Sequence, residues 1–253
     1  MKSFFVLLRK EWLEQWRTYR LLVVGVVLVV FGLLSPLIAK YTPELIRLAP
    51  NGEAIAALIP APTALEAVAQ YLKNMSQFGA ILALLLSMGA VAQEKDKGTA
   101  AMMLVKPLPR LAFLAAKFTA LALMFAASLA LAGLACYYYT WLMFGPLDAL
   151  RWLAFNGLLL AYVLVYVALT LFCSVVTKSQ AAAGGLAICF LLVLGLVGAV
   201  PGWGDYLPGQ LLTWGYGIMA GKADTFYPAL AVSAGFIVAA FIGAWRIFER
   251  QEL

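Results

Sequence analysis

The segment Leu21–Ala39 reads LLVVGVVLVVFGLLSPLIA and contains no charged residue. About 20 apolar residues in a helix cross the hydrocarbon part of a bilayer, so this segment is long enough to span a membrane. Of the 253 residues, 64% are hydrophobic and only 12% are charged, against about 25% charged in an ordinary soluble domain. The sequence therefore predicts an all-α membrane protein with six transmembrane helices, at about 21–39, 76–92, 114–144, 152–176, 181–200 and 228–245.

Lysine and arginine are distributed unevenly between the two sides of these predicted spans. If the N-terminus is cytosolic, 13 of the 18 basic residues lie on the cytosolic side and 5 on the other. Because cytosolic loops carry the excess of basic residues, both termini are expected in the cytosol, in a multi-pass protein of the plasma membrane. The net charge of +6 lies beside apolar spans. It therefore favours anionic membrane lipid as a partner, and no nucleic acid is expected.

Residues 1–20 precede the membrane domain, which is expected to occupy 21–253. Apolar side chains recur at every fourth position within 3–19, as Phe4, Leu8, Trp12 and Trp16. This spacing predicts an amphipathic helix that lies in the cytosolic interface of the membrane, with its tryptophan rings at headgroup level. Such a helix is either a simple anchor or a lever that links the spans to a cytosolic partner, and both roles remain open.

Two longer connections are expected on the side opposite the termini. Prolines such as Pro43 and Pro60 break up residues 40–75, where Thr63 and Glu66 have the spacing of a capping box for a short helix through Lys73. Residues 201–227 are rich in proline, glycine and aromatic residues. This composition predicts an interfacial or re-entrant segment.

Few polar residues lie within the predicted spans. The acidic residues all fall in loops, at the termini or at the ends of spans. Because carboxylates inside a membrane usually mark a proton or cation pathway, their absence argues against an ion-coupled carrier. Polar side chains in the spans are expected to bond other helices or their own backbone. They are Asn156, Ser87, Ser128, Thr170 and Ser174.

Several kinds of chemistry are excluded by residue type. The chain contains no histidine, and its three cysteines, Cys136, Cys173 and Cys189, lie within predicted spans, where they are expected as buried apolar side chains. Residues 217–223 differ from a phosphate-binding loop, because Ala223 follows Lys222 where a hydroxyl would hold magnesium. We therefore expect no catalytic, cofactor or metal residues in this chain and no ATP hydrolysis by it.

The charged loop, residues 93–113, reads QEKDKGTAAMMLVKPLPRLAF and follows the second span. Gly98 permits a turn and Thr99 can cap a short helix over 100–105. Pro107 and Pro109 end that helix, because the residue before a proline avoids helical angles. The pattern predicts a short helix that lies across the cytosolic face.

The whole arrangement resembles the membrane (permease) subunit of type 2 ABC exporters. The resemblance covers the six-span layout, the N-terminal helix with Lys10, Glu11 and Arg17, and a set of residues in and after the charged loop. Those residues are Glu94, Gly98, Thr99, Leu104, Pro107, Arg110 and Lys117.

The family implies a dimer of two permeases, either two copies or two homologues, each contacting a separate cytosolic ABC ATPase that holds ATP and magnesium. The helix in the charged loop would be the coupling helix, in which Glu94, Gly98 and Thr99 carry coupling. Arg110 and Lys117 would fix the loop against lipid phosphate or the partner, and residues 177–180 would form a second contact. The expected function is export of a hydrophobic or amphipathic substrate.

Two other functions fit the sequence. A non-transporting scaffold or sensor would dock a cytosolic protein through the same loop without needing a nucleotide-binding partner. An ATP-independent carrier or channel is the third possibility, which the lack of charge in the spans disfavours.

Overall fold

The computed structural model describes residues 2–48, 53, 61–96 and 109–251, and within these ranges the chain is helical with no strand. Nine α-helices are defined there. They are α1 (Lys2–Arg17), α2 (Arg20–Arg47), α3 (Ala64–Ser87), α4 (Ala92–Asp96), α5 (Arg110–Phe144), α6 (Ala149–Val176), α7 (Gln180–Gly198), α8 (Gly209–Met219) and α9 (Tyr227–Arg250). In this part of the chain, six segments are long and apolar enough to cross a membrane. The prediction of an all-α protein with six transmembrane helices is confirmed.

The helices that contain the first two predicted spans extend beyond those spans. Helix α2 continues through Pro36 and Pro43 to Arg47, although Pro43 was expected to interrupt the chain. Membrane helices tolerate proline because neighbouring helices and nearby hydroxyl groups satisfy the freed backbone groups. Pro36 and Pro43 leave the carbonyls of Gly32 and Ala39 without a helical N–H partner. The hydroxyls just before the two prolines donate to the adjacent carbonyls, Ser35 Oγ to that of Phe31 at 2.6 Å and Thr42 Oγ1 to that of Ile38 at 2.5 Å.

Helix α3 begins at Ala64, ahead of the predicted start of the second span at residue 76. The capping box itself is confirmed, because Thr63 Oγ1 accepts from the Glu66 N–H at 3.4 Å and Glu66 accepts from the Thr63 N–H at 3.2 Å. The helix then passes Lys73 without a break. Asn74 can be buried within it because its amide donates to Ser35 Oγ at 2.9 Å.

Helix α6 lies at the centre of the bundle and α7 at its rim. In the most apolar stretch of α6, 67% of the residues are buried, whereas in that of α7 only 17% are. Helices α2 and α5 approach each other closely at Gly32, where an added Cβ would lie 2.6 Å from the carbonyl oxygen of Ala132. A glycine is required there because the neighbouring atom belongs to the backbone.

We call the end of the bundle that carries α1, α4 and the start of α5 the loop end, and the opposite end the far end. The far end carries α8, which forms within the aromatic stretch 201–227 and packs on α6. Leu211 is fully buried, and a Cβ on Gly215 would lie 2.9 Å from the Phe155 ring. The aromatic stretch therefore contains a helix packed on the bundle.

Of the three cysteines, Cys136 and Cys173 are buried as predicted. The prediction is wrong for Cys189, which is exposed on α7 because that helix has few neighbours in this chain. Asn156 accepts from the Tyr71 hydroxyl at 2.8 Å and donates to the carbonyl of Trp152 at 2.9 Å. By contrast, the buried hydroxyls of Ser87 and Ser128 find no hydrogen-bond partner among the described residues.

Candidate functional site

Five charged side chains from three separate segments meet at the loop end. We call Lys10, Glu11, Glu14, Glu94 and Lys117 the ion cluster. The Lys117 ammonium lies 2.8 Å from Glu94 Oε1 and 3.1 Å from Glu11 Oε1. Lys10 lies 3.0 Å from Glu11, 3.3 Å from Glu14 and 3.3 Å from Glu94. The cluster thus joins α1, the start of the charged loop and the third span.

Lys117 is the most deeply placed charge of the cluster. It lies about two turns into α5, its side chain is only 4% exposed, and its ammonium lies 5.0 Å from the centre of the Phe113 ring. Removing a charge from water is costly unless opposite charges and hydrogen bonds compensate. Glu11 and Glu94 supply that compensation, so the position of Lys117 depends on both α1 and the charged loop.

The protonation of Glu11 and Lys10 responds to this environment. Burial alone would raise the pKa of Glu11, but the ammonium groups of Lys117 and Lys10 outweigh burial and hold that pKa below its ordinary value. For Lys10, burial would lower the pKa, and the carboxylates of Glu11, Glu94 and Glu14 instead raise it above its ordinary value. Both groups are therefore charged near neutral pH.

Three carboxylates of the cluster have a spacing that a metal ion could use. One oxygen from each of Glu11, Glu14 and Glu94 lies within 4.8 Å of the others. The ammonium groups of Lys10 and Lys117 already lie against these oxygens. Because each of the three carboxylates already pairs with an ammonium group of the protein, we describe the arrangement as ion pairs.

The structure describes two of the predicted coupling residues, which lie in different sets of contacts. Glu94 lies in α4 and belongs to the ion cluster, and Arg110 begins α5. Gly98, Thr99, Leu104 and Pro107, together with the short helix predicted over 100–105, lie outside the described residues.

Arg110, inside the charged loop, and Lys117, just after it, contact the protein's own chain, where lipid phosphate or a partner was expected. Lys117 pairs with carboxylates, as described above. Arg110 donates to the backbone carbonyls of Phe248, Glu249 and Gln251 at the end of α9, the last two at 3.0 and 2.9 Å. The difference arises because α9 and α1 pack against the start of α5, which sequence spacing does not reveal.

Helix α1 buries a different face from the predicted stripe. Leu7, Glu11 and Gln15 are its buried residues, at 7%, 8% and 5% exposure. Of the predicted stripe, Phe4, Leu8 and Trp12 are partly buried and Trp16 is 66% exposed. The location of this helix at a membrane interface stays a prediction. Sequence reasoning missed the inward placement of Glu11, although its spacing of four from Leu7 and Gln15 was a usable signal.

The end of α6 and the residue after it contact the residues that lead into the charged loop. The Ser174 hydroxyl accepts from the N–H groups of Val91 and Ala92 at 3.0 and 2.9 Å and donates to the carbonyl of Met88 at 2.8 Å. Lys95 donates to the carbonyls of Val175 and Thr177, the second at 3.4 Å. Residues 177–180, expected as a second partner contact, therefore lie close to α4.

Two apolar grooves open on the sides of the bundle. One, of about 610 Å³, lies between α5 and α6, with Tyr137, Trp152 and Asn156 in its lining. The other, of about 540 Å³, lies between α1, α2 and α5, with Trp12, Trp16 and Ser128 in its lining. Both are large enough for an apolar ligand or a lipid chain.

Fold and site together define a multi-pass, α-helical membrane protein whose helix ends are joined by ion pairs on one side. The profile of the ABC-2 family of transporter proteins matches residues 5–210. The chain belongs to that family and is a membrane component of an ABC transporter. It is also similar to the "Uncharacterized transmembrane protein YxlG" of Bacillus subtilis (strain 168), with 28% identity over 100% of this chain and 99% of the relative.

Proposed function

We propose that this chain is the permease subunit of an exporter that a separate cytosolic ATPase drives. The charged loop would bind that ATPase, which would hold ATP and magnesium. The side of the membrane that carries the loop end would be the cytosol, in agreement with the bias of basic residues. Family membership supports the role of a transporter's membrane component, and the ion cluster supports the loop as the point of coupling.

The observation that carries the proposal is the position of Glu94. This carboxylate lies at the start of the charged loop and pairs with Lys117 at 2.8 Å and with Lys10 at 3.3 Å. Displacement of the loop by a partner would therefore act directly on the third span and on α1. Since ion pairs in a buried setting lose much of their energy when stretched, the three segments are expected to move together.

A second permease is the other proposed partner. Helix α7 exposes Ile188, Leu192, Val193 and Leu196 by about half or more of their surface. The most apolar stretch of α7 is also less buried than that of any other of the six spans in the described part of the chain. Either lipid or another subunit must cover this face in the membrane. We propose that a second copy or a homologous permease does so, with the substrate path between the two subunits.

The proposed substrate is hydrophobic or amphipathic. The two grooves have apolar linings with few polar atoms, and apolar pockets with a small number of polar groups suit ligands of that class. In the groove between α5 and α6, the side chains with polar groups are those of Tyr137, Trp152 and Asn156.

The experiment is affinity purification of the chain in mild detergent, followed by mass spectrometry of the proteins recovered with it. We expect a soluble ATPase with the parent protein and much less of it with Glu94→Ala or Gly98→Pro. Arg9→Ala serves as the matched control, because Arg9 is an exposed basic residue of α1 and its loss should leave recovery unchanged.

Two results would contradict the proposal. Recovery of no ATPase in several gentle detergents would favour a scaffold or a carrier. Equal recovery and unchanged transport with both loop variants would exclude the charged loop as the coupling site even if an ATPase is present.

A further inference from the structure

Two described segments border the middle of the charged loop, α4 before it and the start of α5 after it, and we call them its first and second flanks. Each flank carries a cation that caps the end of a membrane helix. The last carbonyl groups of a helix lack partners within the helix, and the helix dipole makes that end attractive to cations. On the first flank, Lys95 donates to the carbonyls of Val175 and Thr177 at the end of α6. On the second, Arg110 donates to three carbonyls at the end of α9.

The two caps are linked by one residue. The carbonyl of Gln251 accepts from Arg110 at 2.9 Å, while its side-chain amide donates to the carbonyl of Val175 at 3.1 Å. That same carbonyl of Val175 accepts from Lys95. A continuous chain of hydrogen bonds therefore runs from Lys95 through Val175 and Gln251 to Arg110, and we call it the linked caps.

Aromatic packing holds the second flank in place. The rings of Phe113 and Phe248 stack with centroids 5.6 Å apart and an angle of 8° between their planes. Both rings are almost fully buried, and the Arg110 guanidinium lies 5.7 Å from the centre of the Phe248 ring. Arg110 thus has a defined orientation, as planar guanidinium groups have when they stack and donate together.

We propose that Lys95 and Arg110 are positioning residues that make the fourth and sixth spans move with the two flanks of the charged loop. The ion cluster links the loop to α1 and the third span, whereas the linked caps reach α6 and α9. This inference deepens the proposed function, and its role in coupling rests on that function. The mechanical link between the two flanks does not depend on an ATPase, so it can be tested with the chain by itself.

The structural test is hydrogen exchange of the full chain in lipid nanodiscs, read by mass spectrometry. For Arg110→Ala we expect exchange to be about tenfold faster at the end of α9, because hydrogen bonds to a charged group are lost. The decisive readout is the peptide over residues 92–96, which Arg110 does not contact. Exchange there should also become faster, because Gln251 no longer holds Val175 in place beside Lys95.

Gln251→Ala is the milder second variant, since it removes one link and leaves both cationic caps in place. It should speed exchange over residues 92–96 without changing the interior of α5. Arg250→Ala is the matched control, an exposed arginine one residue from Gln251, and it should change neither peptide. Unchanged exchange over residues 92–96 in both Arg110→Ala and Gln251→Ala would overturn the proposal, whatever happens at the end of α9.

The functional arm measures ATP hydrolysis by the ATPase that copurifies with the chain. We expect Gln251→Ala to retain the ATPase and to lower hydrolysis that depends on the permease several-fold. Unchanged hydrolysis with faster exchange would overturn the coupling role of the linked caps. If no ATPase is recovered with the parent chain, the proposed function fails, and the exchange result still decides whether the two flanks are linked.

Discussion

The loop end and the far end of the bundle are held together by different interactions. At the loop end, Lys117, Lys95 and Arg110 connect elements far apart in sequence through ion pairs and hydrogen bonds to helix ends. At the far end, α8 packs apolar and aromatic side chains on α6. A neutral hydrogen bond between Tyr71 and Asn156 joins α3 to α6.

The two kinds of interaction differ in whether they respond to a change in charge. Apolar packing has no preferred partner and does not respond to charge. Ion pairs at a helix end depend on distance and on the protonation of each group. The loop end is therefore the part of the molecule whose contacts depend on charge, whereas the far end depends on apolar packing.

The largest effect is expected from Lys117→Ala. This change leaves Glu11 and Glu94 buried without their main cation, and breaking a buried pair in this way costs about 3–5 kcal/mol. The free energy of unfolding in detergent, measured by denaturant titration, should fall by that amount. Arg17→Ala removes an exposed cation from α1 and should leave the free energy of unfolding almost unchanged. A small effect of Lys117→Ala would mean that the ion cluster does not hold the loop end together.

A smaller loss is expected from Gly32→Ala, which tests packing between the two ends. The new Cβ would lie 2.6 Å from the carbonyl oxygen of Ala132, so α2 and α5 must separate, at a cost of about 1–3 kcal/mol. Gly25→Ala makes the same change on the same helix, where the nearest atom lies 3.9 Å away. Thermal unfolding should distinguish the two variants, and equal melting temperatures would contradict the close approach.

Tyr71→Phe should destabilise the protein by about 1 kcal/mol, as is typical of hydrogen bonds between membrane helices. It removes the donor to Asn156 without leaving a large cavity. Tyr138→Phe is the control, because Tyr138 is 55% exposed on α5. If the loss of stability with Tyr71→Phe equals that with Lys117→Ala, the ion pairs of the loop end contribute no more to stability than the neutral hydrogen bond of the far end.

The smallest effect is a dependence on pH. The folded-state pKa of Glu11 lies below its ordinary value of 4.5, so its contribution is present above that value and is lost as the pH falls through the folded-state pKa. The difference in melting temperature between the parent and Glu11→Gln should be constant near pH 7 and should shrink as the pH falls below about 4.5. A difference that stays the same down to acid pH would exclude an ion-paired Glu11.

The fold was largely predictable because each span carries its own signal. The charge-free run at 21–39 and the basic residues that flank the spans establish six helices without any tertiary information. Span ends were less predictable: Asn74 reads as a polar residue outside the membrane until its bond to Ser35 is known. The continuation of α2 through Pro43 likewise depends on its surroundings.

The site was predictable only where a loop residue itself carried the signal. Glu94 and Arg110 stood out because they lie in a charged segment between apolar runs. The partners of these residues did not, because Glu11 is 83 residues from Glu94 and Phe248 is 138 residues from Arg110. Contacts across such separations follow from packing, and no local pattern encodes them. The role of the charged loop as an ATPase-binding segment remains a prediction.

We expect the pair formed by Glu94 and Lys117 to transmit the action of the proposed partner ATPase. The most direct measurement is permease-stimulated ATP hydrolysis by the copurified complex in nanodiscs, for Glu94→Gln, Lys117→Gln and the double variant. We predict that each single variant loses most of the stimulation and that the double variant loses no more than the worse single one, because one interaction is removed in each case. Losses that add in the double variant, or stimulation that persists in both single variants, would contradict this claim.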